Sequence, residues 1–112
     1  MNVYDTANKL AHEIKSSEEL VNYKKLKELI KDNGDVSSQI KKFEELRYEI
    51  QIASMQGMEV NKEKEKELQE IYANLLTKDN VKEYFEAEFK FNILLADVNK
   101  IIGDSVKEVL EM

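Results

Sequence analysis

His12 is the only imidazole among 112 residues, and there is no cysteine. General acid–base catalysis through His12 would need a second group to hold and tune it. The residue falls opposite the apolar stripe Val3, Ala7, Leu10 and Ile14 of its own segment, so an exposed helix histidine is expected. A ferritin-like dimetal centre needs Glu-x-x-His on each of two helices, which a single histidine cannot supply. The lack of cysteine removes disulfides, zinc knuckles, thiolate-held clusters and thiol catalysis together, and fits a reducing compartment. The three glycines stand far apart, so no phosphate-cradling loop is present. Asp and Glu number 23 against 17 Lys and Arg, and carboxylates on the helices of an acidic protein form a solvated face. No catalytic residue, cofactor or metal-ligand set is predicted.

Two constellations could still bind something. Glu88, Asn92 and Asn99 form a narrow polar strip between two apolar stripes. They suit either ligand-binding groups inside a bundle or polar residues at a helix seam, which fix register and partner number at some cost in stability. The seam reading is favoured. Lys24, Lys25, Lys27, Lys31, Lys41 and Lys42 make the densest basic region, which could meet an acidic partner or RNA. They are interleaved with Glu28, Glu44 and Glu45 and carry no base-stacking aromatics, since Tyr23 and Phe43 belong to apolar stripes. With a net charge of −6 opposing phosphate, nucleic acid is not expected as a partner.

The elements that must position these residues are helical. There is no Pro and little Gly, so the punctuation of hairpins and tight loops is missing. The spacing predicts a first helix over Val3 to Lys15. Ser16 with Glu19 has capping-box spacing and opens a second helix to about Asp32, with Leu20, Tyr23, Leu26 and Ile30 as its apolar face. Asn33-Gly34 supplies a stop and Asp35 a cap. A third helix follows over about 36–56 on the stripe Val36, Ile40, Phe43, Leu46, Ile50 and Ala53, with Gly57 as its terminator. Asn61 caps a fourth helix that buries Leu68, Ile71, Tyr72, Leu75 and Leu76. Asn80 with Glu83 caps a fifth over about 81–102, which Gly103 ends unless the helix runs on through Val106 and Val109. The expected fold is all-α: one domain, 1–112, of about five helices in an antiparallel bundle framed by the two long ones.

The fifth helix carries more apolar surface than one bundle face requires. Tyr84, Ala87, Phe91, Leu94, Val98 and Ile101 form one unbroken stripe. Phe85, Phe89, Ile93 and Ala96 form a second, shorter and more aromatic one. Leaving several large side chains in water costs several kcal/mol at ~25 cal/mol per Å² and makes a patch larger than monomers usually carry. A second copy is the simplest cover. The first stripe is therefore expected to pack within the subunit, and Phe85, Phe89, Ile93 and Ala96 to form the homodimer contact. No apolar run is long enough to span a bilayer and the N-terminus has no secretory signal, so a cytoplasmic protein is expected.

Three stretches taken together, NVYDTANKLAHEIKSSEE, FEELRYEIQ and EYFEAEFKFNILLADVNKIIG, resemble the small YheA-like proteins of low-GC Gram-positive bacteria, relatives of the YlbF and YmcA proteins. The resemblance spans essentially the whole chain and rests on the joint order of the three segments. It implies an all-helical fold, commonly dimeric, without enzymatic activity. The relatives YlbF and YmcA join a third protein, YaaT, in a complex that supports mRNA processing, competence, sporulation and biofilm formation. Their complex holds iron–sulfur clusters through cysteines, which this chain lacks, so cluster binding does not carry over. The expected function is that of a non-enzymatic helical interaction protein, an adaptor or regulator. The alternative is a helical module binding a small ligand, a metal or nucleic acid.

Overall fold

A computed structural model describes residues 2–112. It contains five helices: α1 (Val3–Lys15), α2 (Glu18–Lys31), α3 (Gly34–Met55), α4 (Lys62–Leu75) and α5 (Val81–Leu110). There is no strand among the described residues.

Asparagine opens three of the helices, because its side-chain oxygen can accept from the first orphan N–H groups of a helix. Asn2 accepts from the Asp5 N–H at 2.9 Å and Asn33 from the Val36 N–H at 3.2 Å. Asn61 accepts from the Glu63 and Lys64 N–H groups at 2.9 and 3.3 Å. Gly57, with φ of 73°, ends α3 in a Schellman arrangement, where the Met58 N–H donates to the Ala53 carbonyl at 3.0 Å and the Gly57 N–H to Ser54 at 3.1 Å.

Several local expectations shift. The cap of α2 is Ser17, whose hydroxyl accepts from the Leu20 N–H at 3.2 Å. Ser16 is still closing α1, its N–H and hydroxyl both donating to the His12 carbonyl. Asn33, not Asp35, caps α3, so Gly34 lies in the first turn rather than in a left-handed stop. Asn80 has φ of 69°, a left-handed turn position rather than the extended backbone of an N-cap, so the spacing to Glu83 does not form a capping box. Gly103 does not end α5, which continues to Leu110.

The residues fall into two compact units whose boundaries lie within α2 and α5. One is Lys27–Glu83. There α3 and α4 run antiparallel, with Asn74 donating to Gln39 at 3.1 Å, Tyr72 stacked on Phe43 at 5.6 Å, and Lys64 paired with Glu49 at 2.9 Å. Ile30, Val36, Ile40, Phe43, Leu46, Leu75 and Val81 form its buried core. Leu75 and Val81 are fully enclosed. The other unit joins the chain up to Leu26 to Tyr84–Met112 and holds α1, the first part of α2 and most of α5. Its core is much thinner: among the described residues only Tyr84 and Ala87 there are buried.

Candidate interaction surface

The unit with the thin core contains every residue singled out on the last helix. One side of α5 faces its own neighbours. Tyr84 and Ala87 are buried, and Phe91, Leu94, Leu95 and Val98 are half-buried. Tyr23 of α2 sets its ring 5.5 Å from Tyr84 and 5.9 Å from Phe91. Its hydroxyl donates to Glu88 Oε2 at 3.3 Å. Glu88 is thus half-buried beside an aromatic cluster of its own chain, while Asn92 and Asn99 stand exposed. The three do not converge on a ligand site. The unbroken stripe packs within the subunit as far as Val98, but Ile101 is exposed and leaves that contact.

The opposite side of α5 faces water. Phe89 is 66% exposed and Ile93 44%, and Ala96 is exposed beside them. Phe85 is half-buried, its ring 5.5 Å from that of Tyr84.

Further apolar surface lies where the sequence pattern suggested core. α1 contains no buried residue. Leu10 and Ile14 are half-buried, whereas Val3 and Ala7 of the same stripe are exposed, Val3 to 80%. Val3, Ala7 and Leu10 line a shallow apolar groove with Ile102 of α5. Beyond it Val106, Val109 and Leu110 are exposed on a helix that runs past its last half-buried residue. The signal for these residues was present in the sequence. The spacing of Phe85 and Phe89 continues through Asn92, Ala96 and Asn99 to Gly103, Val106 and Leu110, but with the end of the helix left open at Gly103 the stripe was followed only to Ala96.

His12 is exposed on α1. No group of three or more His, Cys, Asp or Glu among the described residues is placed to hold a metal ion. The six lysines of the basic region are all exposed, and Lys42 pairs with Glu67 at 3.0 Å. A shallow depression lined by Glu18, Glu19, Asn22, Lys25 and Lys90 mixes both signs of charge and selects no ligand of either sign. No helix among the described residues is long and apolar enough to cross a membrane.

Fold and surface define a small all-α protein that presents a long, partly apolar helix face to solvent. The family described as "Control of competence regulator ComK, YlbF/YmcA" matches residues 3–107, and the chain belongs to this family, as the three resembling stretches implied. A UPF0342 protein of Desulfitobacterium hafniense is 35% identical over all of this chain and 90% of its own length. Another from Halothermothrix orenii is 32% identical over 91% of this chain and 86% of its own. Among solved structures, a protein of unknown function (DUF964) from Bacillus stearothermophilus matches with a TM-score of 0.79 at 16% identity, covering 96% of this chain and 94% of its own. Bacillus subtilis RicA, solved in complex with RicF, matches with a TM-score of 0.62 at 23% identity, covering 96% of both chains. At those identities the likeness is one of fold.

Proposed function

We propose that this protein works without catalysis, as a cytoplasmic helical subunit that pairs with a second copy and docks onto another protein. The observation that carries the reading is the exposed face of α5: aromatic and aliphatic side chains stand in water along one long helix. Large apolar anchors on a pre-ordered helix lose little conformational entropy on binding, which is the economy of a docking surface. The family's connection with competence control supports a regulatory role, and the resemblance to YlbF and YmcA points to RNA processing as its setting. That RicA, a protein of like fold, was solved in complex with RicF supports partnership as the mode of action. Within this reading the 112 residues act as one domain.

The test compares the wild type with Phe89→Asp by analytical ultracentrifugation and circular dichroism. The substitution sets a charge on the exposed face, where desolvating it on association costs several kcal/mol, and touches none of the buried core. The expected result is a helical monomer or a weakened pair. A Phe89→Asp variant that unfolds yet stays paired would reverse the assignment of the two stripes. A metal or nucleotide co-purifying in stoichiometric amount would favour a ligand-binding module instead.

A further inference from the structure

On its solvent side α5 carries a seam with the repeat of a coiled coil. From Phe85 to Leu110 the positions alternate by four and three residues, the 3.5-residue period that keeps one face of a helix against another. Phe89, Ala96, Gly103 and Leu110 occupy one heptad position. Phe85, Asn92, Asn99 and Val106 occupy the other. All but the half-buried Phe85 are exposed. At 1.5 Å per residue the seam is about 39 Å long. A helix of that length pairing with its like covers on the order of 800 Å² per copy, the size of a stable standard interface.

Gly103 is the second observation. Glycine inside a helix costs about 1 kcal/mol relative to alanine, and a Cβ there would meet nothing within 4 Å. No described residue of the chain requires its small size. A second backbone approaching closely would.

The order of sizes along the seam identifies what approaches. Bulky residues stand at both ends and small or amide residues in the middle. We propose that α5 pairs with α5 of a second copy in antiparallel orientation. Phe85 of one copy then lies opposite Leu110 of the other, Phe89 opposite Val106, Asn92 opposite Gly103, and Ala96 opposite Asn99. Every layer sets a larger side chain against a smaller one, and the layers match about the centre. They are bulky at both ends (Phe with Leu, Phe with Val) and slight in the middle (Asn with Gly, Ala with Asn), so the axes come closest at the middle of the seam, beside Gly103. A parallel, in-register pair would stack Phe on Phe at one end and set Gly on Gly directly beside Val on Val near the other, a wider spread of layer sizes with no symmetry about the centre. The flanks agree with the antiparallel choice. Glu86 of one copy comes beside Lys107 of the other, twice by symmetry, and the Lys100 stem passes over Ile93. In the parallel register the flanking positions bring no opposite charges together.

This proposal rests on the paired-subunit reading and specifies its surface. The full chain, naturally free of cysteine, is made as Asn92→Cys and as Gly103→Cys, and the two are mixed, allowed to exchange subunits and mildly oxidised. A disulfide is expected in the mixture but in neither variant alone, because each position lies about 16 Å along the axis from its own copy, beyond the reach of a disulfide. Self-cross-linking of either variant would overturn the antiparallel register. Variants that pair in sedimentation but do not cross-link when mixed would overturn the seam while leaving the paired subunit standing. A monomeric wild type would remove the paired subunit itself. Charge reversal gives an independent measure. Glu86→Lys should weaken pairing roughly tenfold at low salt, and Lys107→Glu added to the same chain should restore it; an unchanged affinity for Glu86→Lys would count against the seam.

Discussion

Gly103→Leu should move folding and association in opposite directions. Leucine is a strong helix former, so replacing a glycine within α5 should stabilise the helix by about 0.8 kcal/mol. Among the described residues no atom lies within 4 Å of a Cβ at this position to oppose it. For a domain of this size that corresponds to a rise in Tm of about 4 °C, read by circular dichroism at a dilution where the chain is monomeric. In the pair the same side chain meets Asn92 of the second copy at two symmetric places. Overpacking a close helix contact costs about 1–3 kcal/mol per site, so two sites should weaken association by roughly thirtyfold or more. Sedimentation equilibrium reads that term separately. An additional apolar side chain would ordinarily strengthen self-association. A variant that melts higher and pairs as tightly as the wild type would therefore refute the crossing at Gly103. One that melts no higher would show that α5 is not a continuous helix at this point.

Other substitutions test the inner contacts. Leu75→Ala removes a fully enclosed side chain and should cost about 3–5 kcal/mol, lowering the urea midpoint with the m value unchanged. Phe91→Asp places a charge beside the Tyr23 ring, 5.9 Å away, and should lower Tm by on the order of 10 °C, in contrast to Phe89→Asp.

Much of the fold was legible because its helix starts are written in short-range chemistry. The Asn61 cap and the Gly57 terminator each stand where a side chain or a free φ satisfies orphan backbone groups. Where two neighbours could serve equally, the choice slipped by a residue or two: Ser16 against Ser17, Asp35 against Asn33. Asn80 shows a limit of another kind, since the spacing Asn-x-x-Glu is the same whether the backbone at the asparagine is extended or left-handed. At Gly103 the sequence left two outcomes open, because glycine is the usual terminator and yet apolar residues continue beyond it at Val106 and Val109. The good helix formers on either side outweigh the glycine's cost of about 1 kcal/mol.

Periodicity separated the two stripes of α5 except at one residue of each: Phe85 is half-buried with its ring near Tyr84, and Ile101 is exposed. Phe91, Leu94 and Val98 lie against the subunit's own helices, whereas Phe89, Ile93 and Ala96 face water. Burial on α1 was less legible. Val3 and Ala7 sit on the same amphipathic stripe as Leu10 and Ile14, but a stripe says only that something should cover it. The exposed half of that stripe depends on neighbours that periodicity does not name.

Sedimentation equilibrium of the wild-type chain over a wide concentration series tests the paired-subunit account most directly. The account predicts a mass tending to twice the 13.1 kDa of the single chain as concentration rises, with a monomer–dimer isotherm and no larger species. A chain that remains at 13.1 kDa throughout the series would contradict it.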